Sequence, residues 1–132
     1  MDKIFDSVKP YSDLLGRILI AVLFVIAGWG KISAYAGTQQ YMAAMGVPGG
    51  LLPLVIALEL GGGIAIVLGL FTRPVALLLA GFSIITAVLF HGAADHVNQI
   101  MFMKNLAIAG GFLFLVGHGA GRFSLDQLRR TA

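Results

Sequence analysis

Glu59 is the residue best placed to do chemistry, because it is the only charge in the apolar run from Leu51 to Phe71. A carboxyl group in hydrocarbon costs at least about 2–3 kcal/mol and must be paired, protonated or turned towards a polar cavity. Its short side chain cannot reach a bilayer face roughly 13–18 Å away, at 1.5 Å of rise per helical residue. Lys31, His91, Lys104 and Asn105 fall towards one common end of their own apolar segments. We therefore expect a polar pocket in that half of a helical bundle, built from Glu59, His91, Lys104, Asn105 and Lys31, with Arg17 closing it from the other side. A carboxylate or imidazole within hydrogen-bond reach can exchange protons with the ring oxygens of a quinone. The structural alternative is a buried ion pair that fixes helix register. Lys31, Lys104 and Arg17 could also snorkel to headgroups, and one sequence leaves these readings open.

Other chemistry is excluded or weak. Cysteine is absent, which removes disulfides, thiolate catalysis and Cys-ligated metals. His91, Asp95 and His96 have poor ligand spacing around Gly92, so no metal site is expected. His91 and His118 lie near opposite ends of the apolar segments, which rules against a haem held by two histidines. Gly117-His-Gly-Ala-Gly121 lacks the strand and the Lys-Ser/Thr ending of a phosphate loop. No stand-alone catalytic motif is present.

The elements that must position Glu59 are membrane helices. The 132 residues are 58% hydrophobic and only 11% charged, against about 25% charged in soluble domains. The net charge of +3 comes from scattered basic residues without a stacking aromatic stripe, so nucleic acid is not an expected partner. Four apolar windows, 13–32, 51–71, 74–92 and 102–119, each approach the ~20 residues of a membrane crossing. They imply one all-α domain over 1–132, an integral membrane four-helix bundle. Asp2, Asp6 and Asp13 argue against reading the first span as a cleaved signal peptide. Lys3, Lys9, Arg17, Arg73, Arg122, Arg129 and Arg130 share one side, and only Lys31 and Lys104 the other. That split predicts cytoplasmic termini.

Thr38–Met45 reads as a short interfacial helix capped by Thr38. Ser124-Leu-Asp-Gln127 reads as the capping box of a short C-terminal helix. Within the spans, small and polar residues should face neighbouring helices. The first stripe is Arg17, Ala21, Phe24, Gly28 and Lys31. The second is the ladder Ala57, Gly61, Ala65 and Gly69, with Gly62 and Gly63 flanking the face of Glu59. The third is Ala76, Ala80, Ser83, Ala87 and His91, and the fourth Lys104, Ile108, Gly111, Leu115 and His118.

Phe24-x3-Gly28-x2-Lys31, Glu59-x2-Gly-Gly-x5-Gly69-x2-Thr72-Arg73, His91 closing the third span, and Gly119-Ala-Gly-Arg-Phe-Ser124-Leu-Asp126 together resemble the DoxX family. The resemblance covers nearly the whole chain. It implies a four-span bacterial inner-membrane protein with cytoplasmic termini, and relatives tied to quinone-linked or oxidative-stress redox systems. His118 and Ala120 depart from the Gly-Pro-Gly common among relatives. The leading expectation is an accessory subunit of a membrane redox system, partnered by oxidoreductase subunits or further copies, with no covalent cofactor and a quinone as the candidate ligand. The alternatives are a non-catalytic assembly or lipid-organising protein, and a small-solute or proton-coupled transporter.

Overall fold

The computed structural model describes residues 1–131. Four of its helices are long and apolar enough to cross a membrane: α1 (Asp2–Ser33), α3 (Gly49–Leu68), α4 (Thr72–Phe90) and α5 (His96–His118). Two short helices complete it, α2 (Tyr35–Ala44) and α6 (Leu125–Thr131). The molecule is an all-α integral membrane four-helix bundle, as composition dictates. Helix α1 begins well before the apolar window at 13 and runs through Pro10. Hydropathy marks where lipid begins, whereas helix needs only satisfied backbone.

The bundle is two helix pairs. α4 and α5 pack along most of their length, and α1 packs along α3. The pairs close on one another in the half nearest the chain termini, around Ala21, Phe24, Ile66, Leu79, Ala80 and Phe112. Phe24 and Phe112 meet edge to face at 5.4 Å. α1 and α3 approach so closely that a Cβ on Gly28 would lie 2.8 Å from the Leu60 backbone nitrogen. Gly62 and Gly63 are also buried, against Leu79 and Val25 respectively, and Gly111 faces Ile20.

The first and third stripes face inward as expected, with Arg17, Ala21, Phe24, Gly28, Ala76, Ala80, Ser83 and Ala87 all buried. The second does so fully at Gly69 alone. Ala57 and Gly61 are exposed and Ala65 is half-buried, while Glu59, Gly62, Gly63 and Ile66 form the buried face. A π-helical turn over Ala57–Gly61 lies at the discrepancy. Its extra residue rotates the helix, and π turns of this kind gather at functional sites. The energetic reason is plain: exposing glycine to lipid costs little when its backbone is hydrogen-bonded, whereas exposing a carboxylate costs kilocalories. In α5 the inward face is Asn105, Ala109 and Phe112, one position on from the expected stripe, which leaves Lys104 and His118 exposed.

Both short helices bear on the ends. Thr38 does not cap α2; the helix starts earlier, and the Thr38 hydroxyl donates to the Ala34 carbonyl at 2.8 Å. Ser124 does cap α6, accepting from the Gln127 backbone N–H at 3.2 Å. Arg17 does not close the pocket around Glu59. Its guanidinium donates to the carbonyls of Ile66 and Val67, each at 3.0 Å, and to that of Phe123. It thus satisfies the last turn of α3 and ties the C-terminal segment to it. Gly69, at φ +68°, ends α3 where a Cβ would strike Ser124 and Arg17.

Candidate functional site

In the half of the bundle away from the termini the two helix pairs diverge around a cavity of 390 Å³. Its walls are mostly apolar, with Phe24 and Ala27 from α1, Val55 from α3, Phe82 and Ile85 from α4, and Ile108 from α5. Helix α2 lies across the mouth through Tyr41 and Met42. Met42 is buried, and Tyr41 stacks on Phe90 at 5.4 Å with the rings 20° apart. Volume and lining are those of a small-molecule pocket.

Two polar groups lie in its walls. On the α1/α3 side, Lys31 Nζ sits 2.6 Å from Glu59 Oε1. Glu59 is almost fully buried and Lys31 about a third exposed. This ion pair engages one of the roughly four lone-pair sites of a carboxylate, so Glu59 keeps acceptor capacity for a further donor. Spacing explains the match: Gly28 lets α1 settle against Leu60, which brings Lys31, one turn further on, to the depth of Glu59. On the α4/α5 side, Asn105 Nδ2 donates to the Ser83 carbonyl at 3.3 Å and to Thr86 Oγ1 at 3.2 Å. His91 lies at the end of α4, its Nδ1 3.2 Å from Asn98 Oδ1.

The structure thus brings Glu59, Lys31, Asn105 and His91 to one cavity. It does not bring Lys104 or Arg17. Lys104 adjoins Asn105, and the ~100° between successive helical residues turns one outward when the other faces inward. Arg17 precedes Lys31 by nearly four turns and belongs to the opposite end. Ser83 and Thr86 line the cavity and were not among the expected site residues, although Ser83 stands in the expected third stripe. A hydroxyl pair one turn apart facing an asparagine was the available signal. Among the described residues no cluster of three metal-ligating side chains occurs; Asp95 instead caps α5, accepting from the Asn98 N–H at 3.1 Å.

Four apolar helices that bury one carboxylate against one lysine beside a ligand-sized cavity define a small multi-pass membrane protein with an intramembrane polar site. The chain belongs to the DoxX family, whose model it matches over residues 12–92. It is 61% identical over 116 residues to the inner membrane protein YqjF of Escherichia coli K12, covering 87% of this chain and 89% of that one. It is 41% identical over 131 residues to the E. coli inner membrane protein YphA, covering 93% and 94%. A Bacillus subtilis relative named "Putative oxidoreductase CatD" is 33% identical over 80 residues, covering 61% of this chain and 57% of that one. No solved structure matches the chain.

Proposed function

We propose that this protein is an inner-membrane accessory subunit of a redox system, holding a small ring ligand of the quinone class in the cavity beside Lys31 and Glu59. The observation that carries the reading is a buried carboxylate, paired with Lys31, in the wall of a 390 Å³ apolar cavity. A pair that only set helix register would need no cavity beside it. The cavity suits an apolar ring, and Glu59 offers a proton acceptor inside it. The name of CatD and the inner-membrane names of YqjF and YphA favour the same setting. The seven-to-two sorting of basic residues favours cytoplasmic termini, which puts the cavity in the outer half of the bilayer.

Native mass spectrometry of protein released from membranes tests the reading. Wild type should carry a bound non-lipid mass that organic extraction recovers, and Glu59→Gln should carry much less. Equal yields from the two would remove Glu59 from ligand binding.

A second reading is favoured by one observation. Ala57 and Gly61 face away from the bundle, and a Cβ on Gly61 would meet nothing within 4 Å. A smooth patch of this kind suits close helix packing against a second copy. Gly61→Leu should then lower the oligomer size measured in mild detergent, while an unchanged size would dismiss this interface.

A further inference from the structure

We infer that the cavity selects ligands that bring hydrogen-bond donors, and so holds the reduced, hydroxyl-bearing form of a ring ligand more tightly than its oxidised carbonyl form. This rests on the reading of the cavity as a ring-ligand site and adds which form it takes. The warrant is an inventory of protons around the cavity. The Ser83 hydroxyl donates to the Leu79 carbonyl at 2.8 Å, and the Thr86 hydroxyl to the Ser83 carbonyl at 3.1 Å. Asn105 spends its amide hydrogens on the Ser83 carbonyl and on Thr86 Oγ1. Those acceptors fix the amide orientation, since a flipped Asn105 would set oxygen against oxygen. Its Oδ1 is left as a free acceptor.

His91 follows the same logic. Asn98 Nδ2 donates to Asp95 Oδ1 at 2.7 Å, which turns Asn98 Oδ1 towards His91 Nδ1. A carbonyl oxygen there requires a proton on Nδ1, so the neutral ring keeps its lone pair on Nε2. Glu59 adds a carboxylate with more lone pairs than its ion pair to Lys31 uses. The Tyr41 hydroxyl can rotate to serve either role, and Lys31 is the one obligate donor of the set. A quinone, which only accepts, could take bonds from Lys31 and Tyr41 but would leave Glu59, Asn105 and His91 without a donor. A hydroquinone can donate to Glu59, Asn105 or His91 and still accept from Lys31. Burying an acceptor against another acceptor costs more than a missing bond. Selective binding of the reduced form would also raise the potential of the bound couple, by about 30 mV for each tenfold preference.

The test uses the full chain in lipid nanodiscs under anaerobic conditions. Tetramethylhydroquinone, tetramethylquinone and the hydroquinone's dimethyl ether share one frame and differ in donors. Equilibrium dialysis should show the hydroquinone binding at least tenfold more tightly than the quinone, with the ether no better than the quinone. Asn105→Leu should weaken hydroquinone binding severalfold and leave quinone binding unchanged. Should that variant fail to fold, the wild-type ratio decides. Quinone binding as tight as hydroquinone binding overturns the donor preference and leaves the ring-ligand site standing. Absence of binding by all three compounds overturns both.

Discussion

Lys31 and Glu59 hold each other in place by what either would cost alone. Lys31→Met leaves the Glu59 carboxylate buried without its cation and should cost about 3 kcal/mol, the lower end for a broken buried pair because Lys31 is partly exposed. Glu59→Gln should cost less, since the freed lysine can extend towards the headgroups. Thermal unfolding in detergent checks the order, and a larger loss for Glu59→Gln would contradict it. At the other end of the bundle, Asp126 accepts from the backbone N–H groups of Phe71 and Thr72 at 2.8 and 2.9 Å. Burial pulls the Asp126 carboxyl up, but the bonds from Thr72 and Phe71 and the nearby Arg129 outweigh it and hold its pKa below the usual range. A depressed folded-state pKa means that its contribution is complete above the unfolded value of about 3.9 and fades as pH falls through the lower folded one. Asp126→Asn should therefore lower stability by about 1 kcal/mol at neutral pH, the scale of a lost cap. It should also flatten the stability curve below about pH 4. An unchanged acid limb would remove Asp126 from that role.

Among the elements, α3 decides where the site is. Its face is set by the burial of Glu59 in the π turn over Ala57–Gly61, which leaves Gly61, two residues on, turned outward. Two glycines in the closely spaced pair of helices should then respond oppositely. Gly28→Ala places a methyl group against the Leu60 backbone, which cannot yield, and should cost about 1–3 kcal/mol. Gly61→Ala meets open space and gains helix propensity, so unfolding should show no loss. Comparable losses at both positions would mean that the face is misassigned. The contrast also shows how much was legible in the sequence. Span number, helical class and the meeting of Lys31 with Glu59 followed from hydropathy, depth and the cost of a buried charge. The outward turn of Ala57 and Gly61 was legible only through Glu59, which lies two residues, about 200° of helix, from each; the small-residue rule alone pointed them inward. Lys104 was misplaced by a single helical position beside Asn105. The role of Arg17 depends on the Phe123 carbonyl, more than a hundred residues away in sequence, where no local pattern could reveal it.

For the whole molecule, the decisive property is asymmetry along the bundle axis. Near the termini the two helix pairs are locked by the Phe24–Phe112 contact, Arg17 and the Asp126 cap, while at the far end they part around the cavity under α2. Rigidity at one end would let the other hold the proposed ligand without losing the fold. Because the chain contains no cysteine, a single introduced thiol reports on this division directly. Ser83 and Ala80 are equally buried on α4, but Ser83 lines the cavity and Ala80 lies in the packed core. The most direct measurement is the labelling rate of Ser83→Cys and Ala80→Cys in membranes by a small methanethiosulfonate reagent. Labelling of Ser83→Cys at least tenfold faster than Ala80→Cys, slowed by bound tetramethylhydroquinone, is the predicted result. Two equally unreactive thiols would contradict it, leaving Lys31 and Glu59 an ion pair sealed inside a solid bundle.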